Sequence, residues 1–149
     1  MTRIDFYILS DMTRDAGLRF ACRLSLKGYQ KGHPILIHTR DEAEAQDLDA
    51  LMWDYPKHRF LPHEIVEKSD ANTPKVANTP IHITWEAPLR NTGMLINLTD
   101  EVPDFFGRFD RVAEIVVDET KVSGRTRYKH YRDRGYPLHH HELDQWETT

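Results

Sequence analysis

Apolar residues change their spacing several times along this chain, and each change marks an element. Ile4 to Leu9 is a compact β-type run, and Ser10-Asp11-Met12-Thr13 behind it offers caps for a helix. From about Arg14 to Gln30, Leu18, Cys22, Leu26 and Tyr29 recur every three or four residues and form the inner face of that helix. Gly32 stands where a C-terminal cap belongs. Ile35-Leu36-Ile37-His38 fits a short buried strand. Asp41 then opens a second helix through Glu44, Leu48, Leu51 and Met52, ending near Trp53 and stopped by Pro56. Phe60-Leu61-Pro62-His63 is a brief extended segment. Residues 64–78 are polar and turn-rich, and a mobile loop is expected there. Ile81 to Trp85 alternates as a strand does, and Met94 to Leu98 forms another. Asp104 to Phe109 suggests a short helix after Pro103. Ile115-Val116-Val117 is the last apolar strand, and a basic helix follows it.

Strand, helix, strand, helix with tight connections is the order of βαβ units around a parallel sheet. The expected fold is therefore α/β: one domain with a mostly parallel central sheet flanked by helices. The 149 residues suffice for one core, with the domain expected over 1–138 and a polar, frayed tail over 139–149.

Charge changes this picture at one place. The stretch Lys121 to Tyr136 carries six Lys/Arg against one Asp, +5 net, so the rest of a −4 chain sums to −9. At about 100° per residue, Lys121, Arg125, Tyr128 and Arg132 fall on one stripe of a helix, with Lys129 at its margin. Such a stripe suits an acidic partner that also has an aromatic or apolar group to bury. A plain solvated helix is the competing reading.

Other chemistry is thin. A dinucleotide site needs G-x-G-x-x-G after the first strand; the chain has Ser10-Asp11-Met12-Thr13-Arg14-Asp15-Ala16-Gly17, whose carboxylates repel phosphate, so no nucleotide site and no cofactor are expected. Asp5, Asp11 and Asp15 could be imagined as a magnesium site of a small phosphohydrolase or nuclease, the alternative function. Helix capping explains them as well. His139-His140-His141-Glu142 lacks the spacing of structural zinc ligands, so no metal is expected. Cys22, the lone cysteine, belongs to a helix's inner face and allows no internal disulfide. No apolar run approaches the ~20 residues of a membrane span. The start lacks the layout of a signal peptide, so a cytoplasmic protein is expected.

Segments in this order resemble the chi subunit family of bacterial DNA polymerase III. They are Phe6-Tyr7-Ile8-Leu9, Leu48-Asp49-Ala50-Leu51-Met52-Trp53, Phe60-Leu61-Pro62-His63, Ile81-His82-Ile83-Thr84-Trp85, Leu95-Ile96-Asn97-Leu98, the Phe105…Phe109 turn and Arg125-Thr126-Arg127-Tyr128-Lys129-His130-Tyr131-Arg132. The resemblance implies a Rossmann-like fold without nucleotide. It implies a non-catalytic adaptor of the polymerase holoenzyme that docks the acidic C-terminal tail of single-stranded DNA-binding protein and links it to the clamp loader, through the psi subunit where one exists. Arg125 is then the first candidate for the tail's terminal carboxylate. Lys121, Lys129 and Arg132 would steer its acidic residues, and Tyr128 would wall the pocket for its terminal Phe. Trp53 and Phe60 match the family's face for psi or for a helicase; core packing is their competing reading. Direct nucleic-acid binding by the basic helix is not expected to be strong.

Overall fold

In the computed structural model, which describes residues 1–9, 13–57, 60–67, 78–90, 92–144 and 146, the sheet is wholly parallel among the described strands. These are β1 (Arg3–Leu9), β2 (Ile35–His38), β3 (His63–Ile65), β4 (Ile81–Thr84), β5 (Met94–Asn97), β6 (Arg111–Val116) and β7 (Leu138–Leu143), ordered β3-β4-β2-β5-β6-β1-β7. Every pairing is parallel. The central strands are apolar on both faces because helices cover both, as parallel sheets require.

Helices α1 (Arg14–Gln30) and α2 (Glu42–Asp54) cover one face. Thr13 caps α1 by accepting from the Ala16 N–H, and Asp41 caps α2 by accepting from the Glu44 N–H at 2.8 Å. Gly32, at φ 79°, closes α1 in the left-handed conformation that its position predicted. Leu18, Cys22, Leu48 and Met52 join Ile35, Ile37, Ile81, Ile83 and Ile96 in the core on this side. The opposite face is covered by helix α3 (Lys121–Asp133) and a short 3-10 turn, Phe106–Arg108. There Phe106, Phe109 and Tyr131 pack on Ile4, Phe6, Leu95, Val112 and Val116.

Several expectations need correction. The last central strand begins at Arg111 rather than Ile115, because the alternating Arg111-Val112-Ala113-Glu114 hides a polar residue that is in fact buried. His139 does not begin a frayed tail. Residues 138–143 form β7, an edge strand whose backbone pairs in parallel with β1 from Ile4↔Leu138 to Leu9↔Leu143. Leu138, His141 and Leu143 are half-buried, and Tyr7 stacks on His141 with centroids 4.8 Å apart. Glu64 and Ile65, expected in the loop, belong to β3; positions 68–77 of that loop lie outside the described residues. The basic helix stops at Asp133, and Gly135 at φ 77° turns the chain toward β7.

Candidate functional site: the two faces of the basic helix

Gly124 sets how closely α3 approaches the sheet. A Cβ there would meet both methyls of Val116 at 3.1 and 3.2 Å, so any larger residue would need Val116 or the helix to give by a few tenths of an ångström. Facing the sheet with Gly124 are Arg127 and Tyr131, one helical turn apart and both buried. Both reach Glu114, which β6 places inside the core at 0 % exposure. Arg127 Nε donates to Glu114 Oε1 at 2.9 Å, and Tyr131 Oη donates to Oε2 at 2.6 Å. Asn97, paired with Glu114 in the β5–β6 register, donates its Nδ2 to both oxygens at 2.9 and 3.1 Å. Arg127 Nη1 also reaches Ser123 Oγ at 2.8 Å.

Burial pushes the Glu114 carboxyl above its ordinary value, against the pull of Arg127, Tyr131 and Asn97. Arg127 and Asn97 can only donate here, so the form they hold is the carboxylate. Burial, and then the Glu114 charge, pushes the Tyr131 phenol far up, so it stays a donor. Two members of the basic-aromatic motif are thus consumed by the fold. The sequence carried a signal for this: one Glu inside the apolar run Val112-Ala113-Glu114-Ile115-Val116 demands a buried counter-ion.

The other face of α3 holds the predicted stripe. Lys121, Arg125, Lys129 and Arg132 are exposed. Lys121 Nζ lies 2.9 Å from Asp118, and Arg132 Nε lies 3.5 Å from Asp133. Arg125 has no hydrogen bond or ion pair among the described residues. Tyr128 is half-buried at the border between the faces, its ring edge-on to Phe6 with centroids 5.2 Å apart. One edge of its ring is therefore fixed by the core while the rest borders the cationic stripe.

Trp53 and Phe60, left open between core and surface, are exposed at 57 % and 66 %. Their ring centroids are 6.0 Å apart, and Trp53 leans on the buried His63 at 4.7 Å. His63 is itself held against the Leu61 carbonyl and Asp49. Two large aromatics on a rigid base, both facing solvent, form an apolar patch of the kind that partners cover.

Of the aspartates near β1, Asp5 is held in a network of its own. Asp5 is buried and takes Arg3 Nε at 3.1 Å, Arg111 Nη2 at 3.0 Å and His141 Nε2 at 3.0 Å. Burial would push its carboxyl up; His141, Arg3 and Arg111 outweigh that and hold it below the ordinary range. Asp15 lies in the first turn of α1, and Asp11 falls outside the described residues. Among the described residues no group of three or more His, Cys, Asp or Glu is arranged to hold a metal. In β7, successive side chains at 139, 140 and 141 point to opposite faces, so they do not converge. Cys22 is fully buried, and burial pushes its thiol up to about 12.

These features define an α/β domain that carries a cationic helix face and an exposed aromatic pair. Its fold is shared with the C-terminal domain of the DEAD-box protein Dbp5, at a TM-score of 0.69 and 12 % identity over 98 % of this chain and 93 % of that one. The family model "DNA polymerase III chi subunit, HolC" matches residues 1–139. The DNA polymerase III subunit chi of Pseudomonas aeruginosa is 38 % identical over 96 % of this chain and 98 % of its own length. Those of Haemophilus influenzae and Escherichia coli are 31 % and 29 % identical, over 89 % and 93 % of this chain and 92 % and 96 % of theirs. The chain belongs to the DNA polymerase III chi subunit family, which makes it an accessory rather than a catalytic subunit in DNA replication.

Proposed function

We propose that this subunit recruits the polymerase by gripping the acidic C-terminal tail of single-stranded DNA-binding protein with the exposed face of α3. The observation that carries this reading is Arg125: an exposed guanidinium, without a partner among the described residues, one turn from a tyrosine whose position the core fixes. A planar fork can take a terminal carboxylate in two bonds, and the tyrosine wall can cover an aromatic end group. Lys121, Lys129 and Arg132 steer the acidic residues and act chiefly on association rate and salt dependence. Trp53 and Phe60 form a second surface on which the psi subunit, another clamp-loader component or a helicase docks. Tails from one DNA-bound tetramer would raise the effective affinity by multivalency. The setting of this work is the cytoplasm.

Titration calorimetry with an acidic peptide ending in Phe tests the site. Arg125→Ala should weaken binding by about 1.5–3 kcal/mol, the scale of a hydrogen bond to a charged group. Unchanged affinity at low salt removes Arg125 from the site. Fluorescence anisotropy with a naked oligonucleotide tests the competing use of the stripe; strong binding there, with none to the peptide, removes the adaptor reading.

A further inference from the structure

Beyond the two protein-docking surfaces, the chain order of the sheet creates a third place. Strands β2 and β5 are neighbours, yet the chain leaves them in opposite directions: β2 leads through α2 to the β3 edge, and β5 leads to β6 on the other side. Loops that part in this way open a crevice at the C-terminal ends of the strands, where open α/β sheets bind ligands. A cavity of about 590 Å³ lies there. Its floor and walls are His38 at the end of β2, Trp85 just after β4, and Phe105 beyond β5. Phe105 stands edge-on to His38 with centroids 5.1 Å apart, and both Trp85 and Phe105 are half-exposed.

The charge of this crevice is the reverse of a nucleotide site. Asp100, Glu101 and Asp104 are exposed along its rim, and none of them forms an ion pair among the described residues. Asp100 has only a 3.5 Å contact with Ser123 Oγ. Arg40, the one Lys or Arg on the rim among the described residues, lies 3.5 Å from Glu44, which also holds Arg14 at 3.1 Å. The loop that carries the carboxylates is fixed. Asn97 Oδ1 accepts from the Thr99 N–H and hydroxyl, and Asn97 Nδ2 donates to the Glu101 carbonyl.

We propose that this crevice receives an arginine or lysine side chain displayed by a basic segment of a partner protein. The rim carboxylates supply the counter-charge, and the faces of Trp85 and Phe105 supply aromatic surface for a flat guanidinium or an ammonium stem. An enclosed small molecule fits less well, because small-molecule sites are mostly apolar and envelop their ligand, whereas here the charges stand exposed around an open mouth. The crevice shares no lining residue with the Arg125 stripe or with the Trp53–Phe60 patch.

A heteronuclear NMR titration of the full chain tests it, with acetyl-Gly-Arg-Gly-amide as probe and the citrulline peptide, equal in shape but uncharged, as control. Expected are saturable shifts confined to the Trp85 indole and residues 99–105. They should be about fivefold weaker for the citrulline peptide and for Glu101→Gln/Asp104→Asn, the scale of a partly exposed charge pair. Both substituted residues are exposed, so the variant's spectrum should otherwise overlay that of the parent. Equal binding of the two peptides overturns the proposal. So do shifts spread over the acidic surface, unchanged binding by the variant, or no saturable shift at all.

Discussion

Two arginines two residues apart on α3 should give opposite results when truncated. Arg127 is 2 % exposed and, among the described residues, its guanidinium is the only cation on the fully buried Glu114. In Arg127→Ala the carboxylate keeps Tyr131 and Asn97 as donors but loses its counter-charge, and Ser123 loses a donor. Removing one partner of a buried ion pair costs about 3–5 kcal/mol. Against a domain stability of about 5–15 kcal/mol, that is a large fraction. With a urea slope near 2 kcal/mol/M the midpoint should fall by about 2 M.

The same variant carries a pH signature. Glu114's folded carboxyl already lies above its ordinary value, and loss of Arg127 raises it further. For a raised acid, the folded state favours the protonated form. Its stabilising contribution is complete below the unfolded value near 4.3 and is lost as pH rises through the folded value. The deficit of Arg127→Ala should therefore shrink as pH is lowered from about 8 toward 5, because the stranded carboxylate can take a proton. Urea melts at several pH values measure this. A loss below about 1 kcal/mol at neutral pH, or a deficit that does not change with pH, would show that Glu114 does not depend on Arg127 for its charge.

Asp5 should behave in the opposite sense. Its folded carboxyl is held below the ordinary range, so its contribution is present above about pH 4 and is lost as pH falls through the folded value. Asp5→Asn should cost about 1–2 kcal/mol at neutral pH, discounted because Arg3, Arg111 and His141 are each partly exposed, and should flatten the acid limb of the stability curve; an unchanged limb rejects the network. Trp53→Ala and Phe60→Ala should each alter stability by less than about 0.5 kcal/mol while reducing capture of clamp-loader subunits from cell extract; a large stability loss would return both rings to the core. Cys22, buried and raised to about 12, should react with a thiol reagent only as fast as the chain unfolds; rapid labelling under native conditions contradicts that packing.

The elements with clean periodicity were legible. The 3.6-residue repeat of Leu18, Cys22, Leu26 and Tyr29, with Thr13 and Gly32 at its ends, located α1, and the short apolar runs located β2, β4 and β5. β7 was not legible, because Leu138-His139-His140-His141-Glu142-Leu143 is an edge strand with no apolar alternation to announce it. Its place comes from tertiary pairs, His141 with Asp5 and with Tyr7, that join residues more than 130 positions apart. The stripe of Lys121, Arg125, Lys129 and Arg132 could be drawn from angles alone. Which motif members were already committed could not, since Arg127 and Tyr131 carry the same chemistry as Arg125 and Tyr128 and differ only in what lies beneath them.

That difference explains why a helix this polar carries so expensive a core. A helix seated only on methyl groups can turn or slide by small steps at little cost, and α3 offers the sheet little beyond Gly124, Arg127 and Tyr131. Glu114 is a fixed point on β6, and two donors one turn apart must reach it together. Rotation or translation of α3 breaks at least one of them and strands a buried charge. The cluster therefore fixes the azimuth of the helix, and with it the direction of the stripe, whose centre lies roughly 135° around from the Arg127–Tyr131 face. Buried ionic groups contribute little net stability compared with apolar replacements, but they can specify one register among near neighbours. The same Glu114 is joined through Asn97 to the loop that carries Glu101. One buried carboxylate thus holds both the cationic face of α3 and the acidic rim of the crevice in fixed orientation, which a conservative Glu114→Gln change should loosen together, seen as broadened NMR signals at both 99–105 and 121–133; broadening at one alone would separate them.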